Sequence, residues 1–192
     1  MIFNEPKWKS YIVTSTMPVF SQEECEDIIK VGNSLPAEEA TIAQGRQKRK
    51  DFKKRRGNIA WFPFESMPQM YQKLLFWANR INNNFFGFDD IQIGEMAQFT
   101  RYSSRDHYDW HTDSTFNMKE EPTVRKISMI TLLNDPKDYT GGELQIMNQK
   151  QLFSLKQGYA IFFASFVAHR LLPVKKGIRI SMPIWFGGPP LR

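Results

Sequence analysis

The sequence has little of what several classes of protein require. It contains a single cysteine, Cys25, which excludes an internal disulfide framework and favours a reducing compartment. No stretch approaches the roughly 20 apolar residues that span a bilayer, and Glu5 and Lys7 stand where a signal peptide has its apolar segment. The sequence therefore predicts a cytoplasmic protein with no membrane partner. Cys25 lies in a helical pattern, and we expect a packed, unreactive thiol.

Positive charge is plentiful and concentrated in one place. The formal net charge is +6, and residues 44–56 contain eight Lys and Arg residues against one Asp. This segment has little apolar content and no periodicity, which predicts a mobile loop or a loosely held hairpin. For the run from Arg46 to Arg56 three roles stay open: a lid that favours an acidic peptide, a phosphate-binding patch for nucleic acid, or a solvated loop without a partner.

Helical signals occur in the first half of the sequence. Ser21 with Glu24 three residues later forms a capping-box pattern, which predicts the start of a helix. Residues 66–86 have apolar side chains at helical spacing and predict a second helix, which the Asn run at 82–84 weakens and Gly87 ends. We expect both helices to pack as supports against a sheet.

From residue 91 onward the pattern changes to short apolar runs separated by turn signals at 134–142, 156–158 and 173–177. About seven or eight such strands in half of the sequence are typical of a jelly roll. The predicted fold class is thus α+β, mainly β, with N-terminal supporting helices. We expect one domain over residues 1–192, with the helices and the basic loop in 1–90 and the strand-rich core in 91–192.

Candidate metal ligands lie in this strand-rich half. The sequence has three histidines, and two of them combine with a carboxylate in the series His111, Asp113 and His169. Because residues two apart on a strand face the same side, His111 and Asp113 can reach one metal ion. Two imidazoles and a carboxylate form the set that holds Fe(II) on one face, although a catalytic zinc site uses the same donors.

Arg179 follows His169 by ten residues and alternates with apolar neighbours. Such a charge either points to solvent or needs a buried anion, and an arginine here can bind the carboxylate of a keto-acid. Tyr102 lies nine residues before His111, so its phenol could hold the same carboxylate. The alternative for Tyr102 is an ordinary core tyrosine.

The same residues can also be interpreted without a metal ion. His111 and Asp113 could form a surface polar pair on an edge strand, and His169 could be a histidine at a strand end. The combination with a downstream arginine favours the metal site over these readings. His107 completes no second ligand set, and we expect it at the pocket rim or facing solvent.

Three segments carry a resemblance to a known family: QFTRYSSRDHYDWHTDS, ISMITLLNDPKDYTGGEL and GYAIFFASFVAHRLLPVKKGIRISMPIWF. They resemble the Fe(II)- and 2-oxoglutarate-dependent oxygenases of the prolyl 4-hydroxylase type, especially short bacterial and phage-type hydroxylases. The resemblance covers residues 91–186. It implies a double-stranded β-helix, which is a jelly roll, buttressed by helices. It also implies Fe(II) ligation by His111, Asp113 and His169, and a salt bridge from Arg179 to the distal carboxylate of 2-oxoglutarate.

The resemblance further implies Tyr102 as a co-substrate ligand, although Arg105 stands where relatives often have a glycine after that tyrosine. The co-substrates would be 2-oxoglutarate and O2, with ascorbate as a candidate reductant, in a bacterial or phage-infected cell. A peptide or protein partner is expected, with proline as the first candidate for hydroxylation. The alternatives are a free amino acid, a small molecule or an alkylated nucleobase, or a nucleic-acid-binding jelly roll with a vestigial metal site.

Overall fold

The computed structural model describes residues 10–44, 47–114, 123–147 and 152–189. Helix α1 spans Gln22–Ser34, and helix α2 spans Pro68–Ile81 and continues into a wider π-helical turn, Asn82–Phe86. The strands of the described residues are β1 (Ile12–Thr14), β2 (Glu38–Glu39), β3 (Ile42–Gln44), β4 (Gln47–Arg49), β5 (Arg55–Arg56), β6 (Asn58–Trp61), β7 (Gln92–Ile93), β8 (Gln98–Tyr102), β9 (His107–His111), β10 (Val124–Leu132), β11 (Tyr139–Gly141), β12 (Leu144–Ile146), β13 (Leu152–Phe153), β14 (Ala160–Ala164), β15 (His169–Leu171), β16 (Val174–Gly177) and β17 (Arg179–Gly188).

Two antiparallel sheets form the body of the molecule. The major sheet has the order β1-β14-β10-β17-β8-β6-β2, with β7 also paired to β17. The minor sheet has the order β13-β12-β15-β9-β5, and two separate ribbons pair β11 with β16 and β3 with β4. Strands that are distant in the sequence are neighbours in both sheets, as a jelly roll requires. The mainly β architecture with supporting helices agrees with the prediction.

Helix α1 begins where the capping box predicts. The backbone N–H of Glu24 donates to Ser21 Oγ at 3.2 Å, and the Ser21 N–H donates to the Glu24 carboxylate at 2.7 Å. The inner face is closely packed, because a Cβ built on Gly32 would lie 2.6 Å from the ring of Phe99. Cys25 is fully buried on this face, and burial raises the pKa of its thiol to about 12. The thiol is therefore protonated and unreactive at neutral pH.

Helix α2 buries an apolar stripe that includes Met70, Leu74 and Ala78. The predicted helix was longer, whereas the α-helix stops at Ile81. Beyond it the side chain of Asn82 bonds to both backbone groups of Phe88 and the turn widens before Gly87, which has a φ of 70°. In the part of the protein that the structure describes, neither helix is long and apolar enough to span a bilayer.

Aromatic side chains fill the core. The largest fully buried residues include six phenylalanines: Phe62, Phe86, Phe99, Phe162, Phe163 and Phe186. They belong to one cluster that includes buried residues of α1, α2 and the central strands of the major sheet. The helices thus pack against the major sheet through this cluster.

The basic segment is more ordered than its composition indicates. Strands β3 and β4 form a hairpin whose connecting residues, 45 and 46, lie outside the described part of the protein. Arg55 and Arg56 then pair with Tyr108 and His107 of β9, so that β5 is an edge strand of the minor sheet. The prediction of a loose segment is wrong at Arg55, which is only 8% exposed. Pairing with a strand some 50 residues away is a long-range contact that local composition does not reveal.

Two of the predicted turns also contain strands. Tyr139–Gly141 lies within the expected loop 134–142 and pairs with Val174–Gly177, which lies within the expected turn before Arg179. The two segments satisfy each other's backbone hydrogen bonds, although each has the Gly and Pro content of a turn. This ribbon lies next to the start of β17, because Gly142 is in contact with the side chain of Arg179.

Candidate metal centre

Two neighbouring strands of the minor sheet bring the two predicted histidine ligands together. His111 is the last residue of β9, and His169 is the first residue of β15. They are direct cross-strand partners, and their ring centroids lie 4.1 Å apart. Phe163 packs against the ring of His169 at a centroid distance of 4.5 Å.

Asp113 completes the cluster from outside the strand. The expectation that it shares a strand face with His111 is wrong, because β9 ends at His111 and Asp113 lies in the bend that follows. Its backbone N–H donates to Ser165 O at 2.9 Å, and its Oδ2 accepts a 2.7 Å bond from Ser128 Oγ. These contacts place Oδ1 3.6 Å from His111 Nε2, and Oδ2 3.5 Å from His169 Nε2.

Both imidazoles present the same nitrogen to this carboxylate. His111 Nδ1 lies 2.8 Å from Asp109 O, and His169 Nδ1 lies 3.0 Å from Val167 O. A carbonyl oxygen can only accept, so each Nδ1 must carry the proton and donate it. The Nε2 lone pairs are left free and face Asp113. Metal-binding histidines are held in this way by their second nitrogen.

The protonation states of His111 and Asp113 favour the binding of a cation. Burial, together with the nearby His169, lowers the pKa of His111 to about 3, so this ring is neutral at physiological pH. Burial alone would raise the pKa of Asp113, but the two histidines and the Ser128 hydroxyl outweigh it and hold that pKa below its usual value. Neutral imidazole and ionised carboxylate are the forms that bind metal ions.

The donor set fits a divalent cation of the first transition row. Within the described residues, these three side chains form the group that could hold a metal, and their ligand atoms all lie within 4.8 Å of one another. Two nitrogens, one oxygen and no thiolate match Fe(II) with open positions on the opposite side, while zinc can use the same donors. The open side faces a cavity of about 550 Å³.

Arg179 is a buried cation that lines the same cavity. It begins β17 opposite Tyr102 of β8, and it is only 4% exposed. Its Nη1 donates to Ser181 Oγ at 2.6 Å, whereas its Nε has no hydrogen-bond partner. Burial lowers the pKa of Arg179. No carboxylate of the described residues forms an ion pair with it, so the side chain is arranged to receive an anion from outside the protein.

The remaining predicted residues separate into two cases. Tyr102 is buried and lines the cavity together with Arg179, and its role as a co-substrate ligand stays a prediction. His107 does not line the cavity. Its two ring nitrogens each lie 3.1 Å from a backbone carbonyl oxygen, that of Arg105 and that of Lys53, and the ring holds the basic segment against β9.

The sequence analysis did not identify several residues that line the cavity. Tyr108 stacks on His111 with ring centroids 3.4 Å apart, and the guanidinium of Arg125 lies 3.9 Å from the ring centroid of Trp185. Arg125 is itself held by Glu95 through its Nε at 2.6 Å. Alternation along β17, where Trp185 lies six residues after Arg179, could have indicated Trp185 as inward-facing. Tyr108 lies three residues before His111, and a register shift in the pairing of β9 with β15 accompanies its position beside that ring, so alternation could not have indicated it. Arg55, in the basic segment, had no such signal.

Comparison with known proteins agrees with this geometry. Residues 97–187 match the profile of the 2OG-Fe(II) oxygenase superfamily. The protein is similar to a PKHD-type hydroxylase of Shewanella frigidimarina, with 32% identity over 92 residues, which are 45% of this sequence and 41% of the relative. The match thus spans less than half the length of the curated relative.

Solved structures share the fold over nearly the whole length. The viral collagen prolyl hydroxylase of Paramecium bursaria Chlorella virus-1, in its 2OG complex, superposes with a TM-score of 0.73 at 22% identity, covering 93% of this protein and 97% of that one. A Trichoplax adhaerens prolyl hydroxylase in complex with a hypoxia inducible factor peptide fragment gives 0.66 at 15% identity, covering 92% and 83%. The predicted double-stranded β-helix is thereby confirmed. Residues 97–187, in which all three candidate metal ligands lie, match the 2OG-Fe(II) oxygenase superfamily, as the sequence resemblance indicates.

Proposed function

We propose that this protein is an Fe(II)- and 2-oxoglutarate-dependent dioxygenase that hydroxylates a peptidyl residue, with proline as the first candidate. The observation that carries the proposal is the meeting of His111, Asp113 and His169 at one cavity with a buried Arg179 that forms no ion pair with the described residues. The three donors would hold the iron, and Arg179 would hold the distal carboxylate of 2-oxoglutarate.

The co-substrate end of the cavity has the chemistry that a dicarboxylate needs. Arg179 supplies a buried positive charge, and Tyr102 can add a phenolic donor beside it. When bound, Fe(II) couples conversion of 2-oxoglutarate and O2 to succinate and CO2 with transfer of one oxygen atom into a substrate C–H bond. Ascorbate would serve as the reductant that keeps the iron ferrous.

The substrate end is aromatic. Trp61 and Trp185 line the cavity with ring centroids 6.4 Å apart, and Tyr108 covers the imidazole of His111. Such walls exclude water and accept a compact, weakly polar ring, which supports a prolyl residue over a strongly hydrated group. The two solved relatives are named as prolyl hydroxylases, and one of them is bound to a peptide fragment. This supports a peptide or protein as the partner.

We also propose one domain over residues 1–192. The first part of the sequence supplies β2 and β6 to the major sheet and β5 to the minor sheet, so both sheets are incomplete without it. A cytoplasmic location is part of the same proposal and is supported by the single cysteine, which suits a reducing compartment.

Two measurements test the function. Anaerobic addition of Fe(II) and then 2-oxoglutarate should produce a weak visible charge-transfer band, and its absence would contradict the metal and co-substrate site. A succinate-release screen should then show turnover with proline-rich peptides above free amino acids and methylated oligonucleotides. A reversed order would assign the same chemistry to another substrate.

A nucleic-acid-binding module would give a different result. It would show no charge-transfer band, and the variant His111→Ala would bind DNA or RNA as well as the wild type does.

A further inference from the structure

A second buried arginine lines the cavity that contains the metal ligands. Arg55 lies on β5, which is paired with Tyr108 of β9, and is 8% exposed. Its Nη1 donates to Thr41 O at 3.1 Å, and its Nη2 donates to Gln98 Oε1 at 2.7 Å. Both acceptors are neutral, as is the phenol of Tyr102, a further side-chain hydrogen-bond partner, and the Nε has no partner among the described residues. The guanidinium carbon lies 4.5 Å from the ring centroid of Tyr108.

This arrangement leaves the charge of Arg55 without a counter-ion of its own. None of the carboxylates in the described residues forms an ion pair with Arg55. Asp113 contributes electrostatically, but it belongs to the metal cluster. With Fe(II) and 2-oxoglutarate bound, the charges of the metal ion and Arg179 balance those of Asp113 and the two co-substrate carboxylates. The positive charge of Arg55 is then left over, and burying it without an anion is unfavourable.

Several basic residues near Arg55 differ from it because they form ion pairs. Among the described cations of the segment, Lys50 pairs with Glu39 at 2.5 Å, Lys54 with Asp109 at 3.3 Å, and Arg56 with Asp106 at 3.1 Å. These pairs reduce the positive field that a phosphate backbone would need. The unbalanced charge lies inside the cavity rather than along an exposed surface, which favours a single small anionic group over a polyanion.

We propose that Arg55 forms an anion subsite that binds a carboxylate of the substrate beside the reacting carbon, so that the preferred substrate is acidic next to the hydroxylated residue. The inference rests on the proposed function, since it assigns a substrate class to that site. The carboxylate could belong to an Asp or Glu residue of a peptide or to the free C-terminus of that peptide. A guanidinium binds either through paired N–H donors.

The first test needs no substrate. The protein is loaded with diamagnetic Zn(II) and N-oxalylglycine, an unreactive analogue of 2-oxoglutarate, and the Nε–H signal of Arg55 is identified by NMR through its absence in Arg55→Lys. Titration with acetate should shift this signal, whereas neutral acetamide should not. No shift with acetate, or equal shifts with both, would overturn the subsite. An oligonucleotide that displaces acetate would assign the site to phosphate and would also overturn it.

The second test uses matched proline peptides and measures binding by calorimetry in the same loaded state. We expect a peptide with Glu beside the proline, or one with a free C-terminus there, to bind at least about tenfold more tightly than its Gln or amidated counterpart. The pair that shows the difference identifies the source of the carboxylate. The preference should disappear in Arg55→Gln and persist in Lys53→Gln, a control that removes an exposed charge from the same segment.

The two proposals fail in different ways. If N-oxalylglycine does not bind, the co-substrate site is wrong, while the acetate response of Arg55 can still be measured. If N-oxalylglycine binds and the acid and amide peptides bind equally, only the role of Arg55 is refuted. A preference that survives in Arg55→Gln would likewise assign it to another residue.

Discussion

The region before residue 97 and the region 97–187 build one cavity in different ways. The later region supplies the three candidate ligands and Arg179, and it is the part that matches the superfamily. The earlier region supplies two helices that pack on the major sheet, but also Arg55 and Trp61 on short edge strands. The part of the sequence that matches the family, with the candidate metal ligands, thus lies mainly on paired strands. Features that select a substrate can be carried by segments whose sequence shows little pattern.

The largest expected effect lies in the later region. Asp113→Ala should abolish iron binding and turnover, because it removes one of three ligands from a site where the loss of a supporting residue alone costs roughly 10- to 100-fold in affinity. Anaerobic Fe(II) titration with succinate release measures this. Asp109→Ala is the matched control, since its carboxylate pairs with Lys54 outside the cluster. Retained 2-oxoglutarate turnover in Asp113→Ala would remove this residue from the metal site.

The next effect concerns the co-substrate. Arg179→Gln should weaken 2-oxoglutarate binding by at least about a hundredfold, because breaking a buried charge pair costs roughly 3 kcal/mol or more. The apparent affinity is measured from the intensity of the charge-transfer band. Arg101→Gln, at the neighbouring position on β8 where the side chain bonds to Asn33, should leave the affinity unchanged. An unaltered affinity in Arg179→Gln would refute the carboxylate assignment.

A smaller effect, on stability, is expected in the earlier region. Gly32→Ala adds a Cβ at 2.6 Å from the buried ring of Phe99, which helps to fill the core beside Phe62. Overpacking should lower the free energy of unfolding by about 1–3 kcal/mol, partly offset by the better helix propensity of alanine. Urea unfolding measures this, with Lys30→Ala on the exposed face as the control. No loss of stability would show that α1 can shift away from the sheet.

The smallest effect depends on pH. Burial tends to raise the pKa of Glu24, but bonds from Lys73 and Ser21 outweigh it, and the folded-state pKa is lower than usual. The carboxylate therefore adds stability above its unfolded pKa, and this is lost as pH falls through the folded value. Glu24→Gln should cost about 0.5–1 kcal/mol at pH ~7, because the partly exposed ion pair is screened.

The same cost should vanish at a pH below the folded-state pKa, where the wild-type carboxyl is protonated as well. Urea unfolding at the two pH values measures the difference, and Glu23→Gln, in the same exposed turn, controls for loss of charge alone. A difference between Glu24→Gln and wild type that persists at low pH would mean that the contacts act through packing rather than through charge.

The elements that could be predicted share a local cause. The capping box at Ser21 and Glu24 predicts the start of α1, and the short apolar runs predict the major-sheet strands β8, β10, β14 and β17. Arg179 was identifiable because a charge inside an apolar strand has few explanations. In each case the signal lies within a short stretch of sequence.

The rest depends on which distant segments meet. Arg55 is buried because β5 pairs with β9, and nothing within residues 44–56 specifies that partner. The ribbon of β11 and β16 arises in the same way from two segments with the composition of turns. Asp113 reaches the cluster through bonds to Ser165 and Ser128 rather than through strand alternation, so the geometric reason for proposing it as a ligand was wrong, while its role as a ligand stays a prediction.

The placement of His111 directly opposite His169 has a consequence for folding. A metal ion bound by both histidines would also connect β9 to β15. Metal binding would then be thermodynamically linked to unfolding. At a free metal concentration about a hundred times the dissociation constant, the native state gains about 2.7 kcal/mol. A chelator would then do more than stop turnover: it would loosen the sheet that positions the substrate.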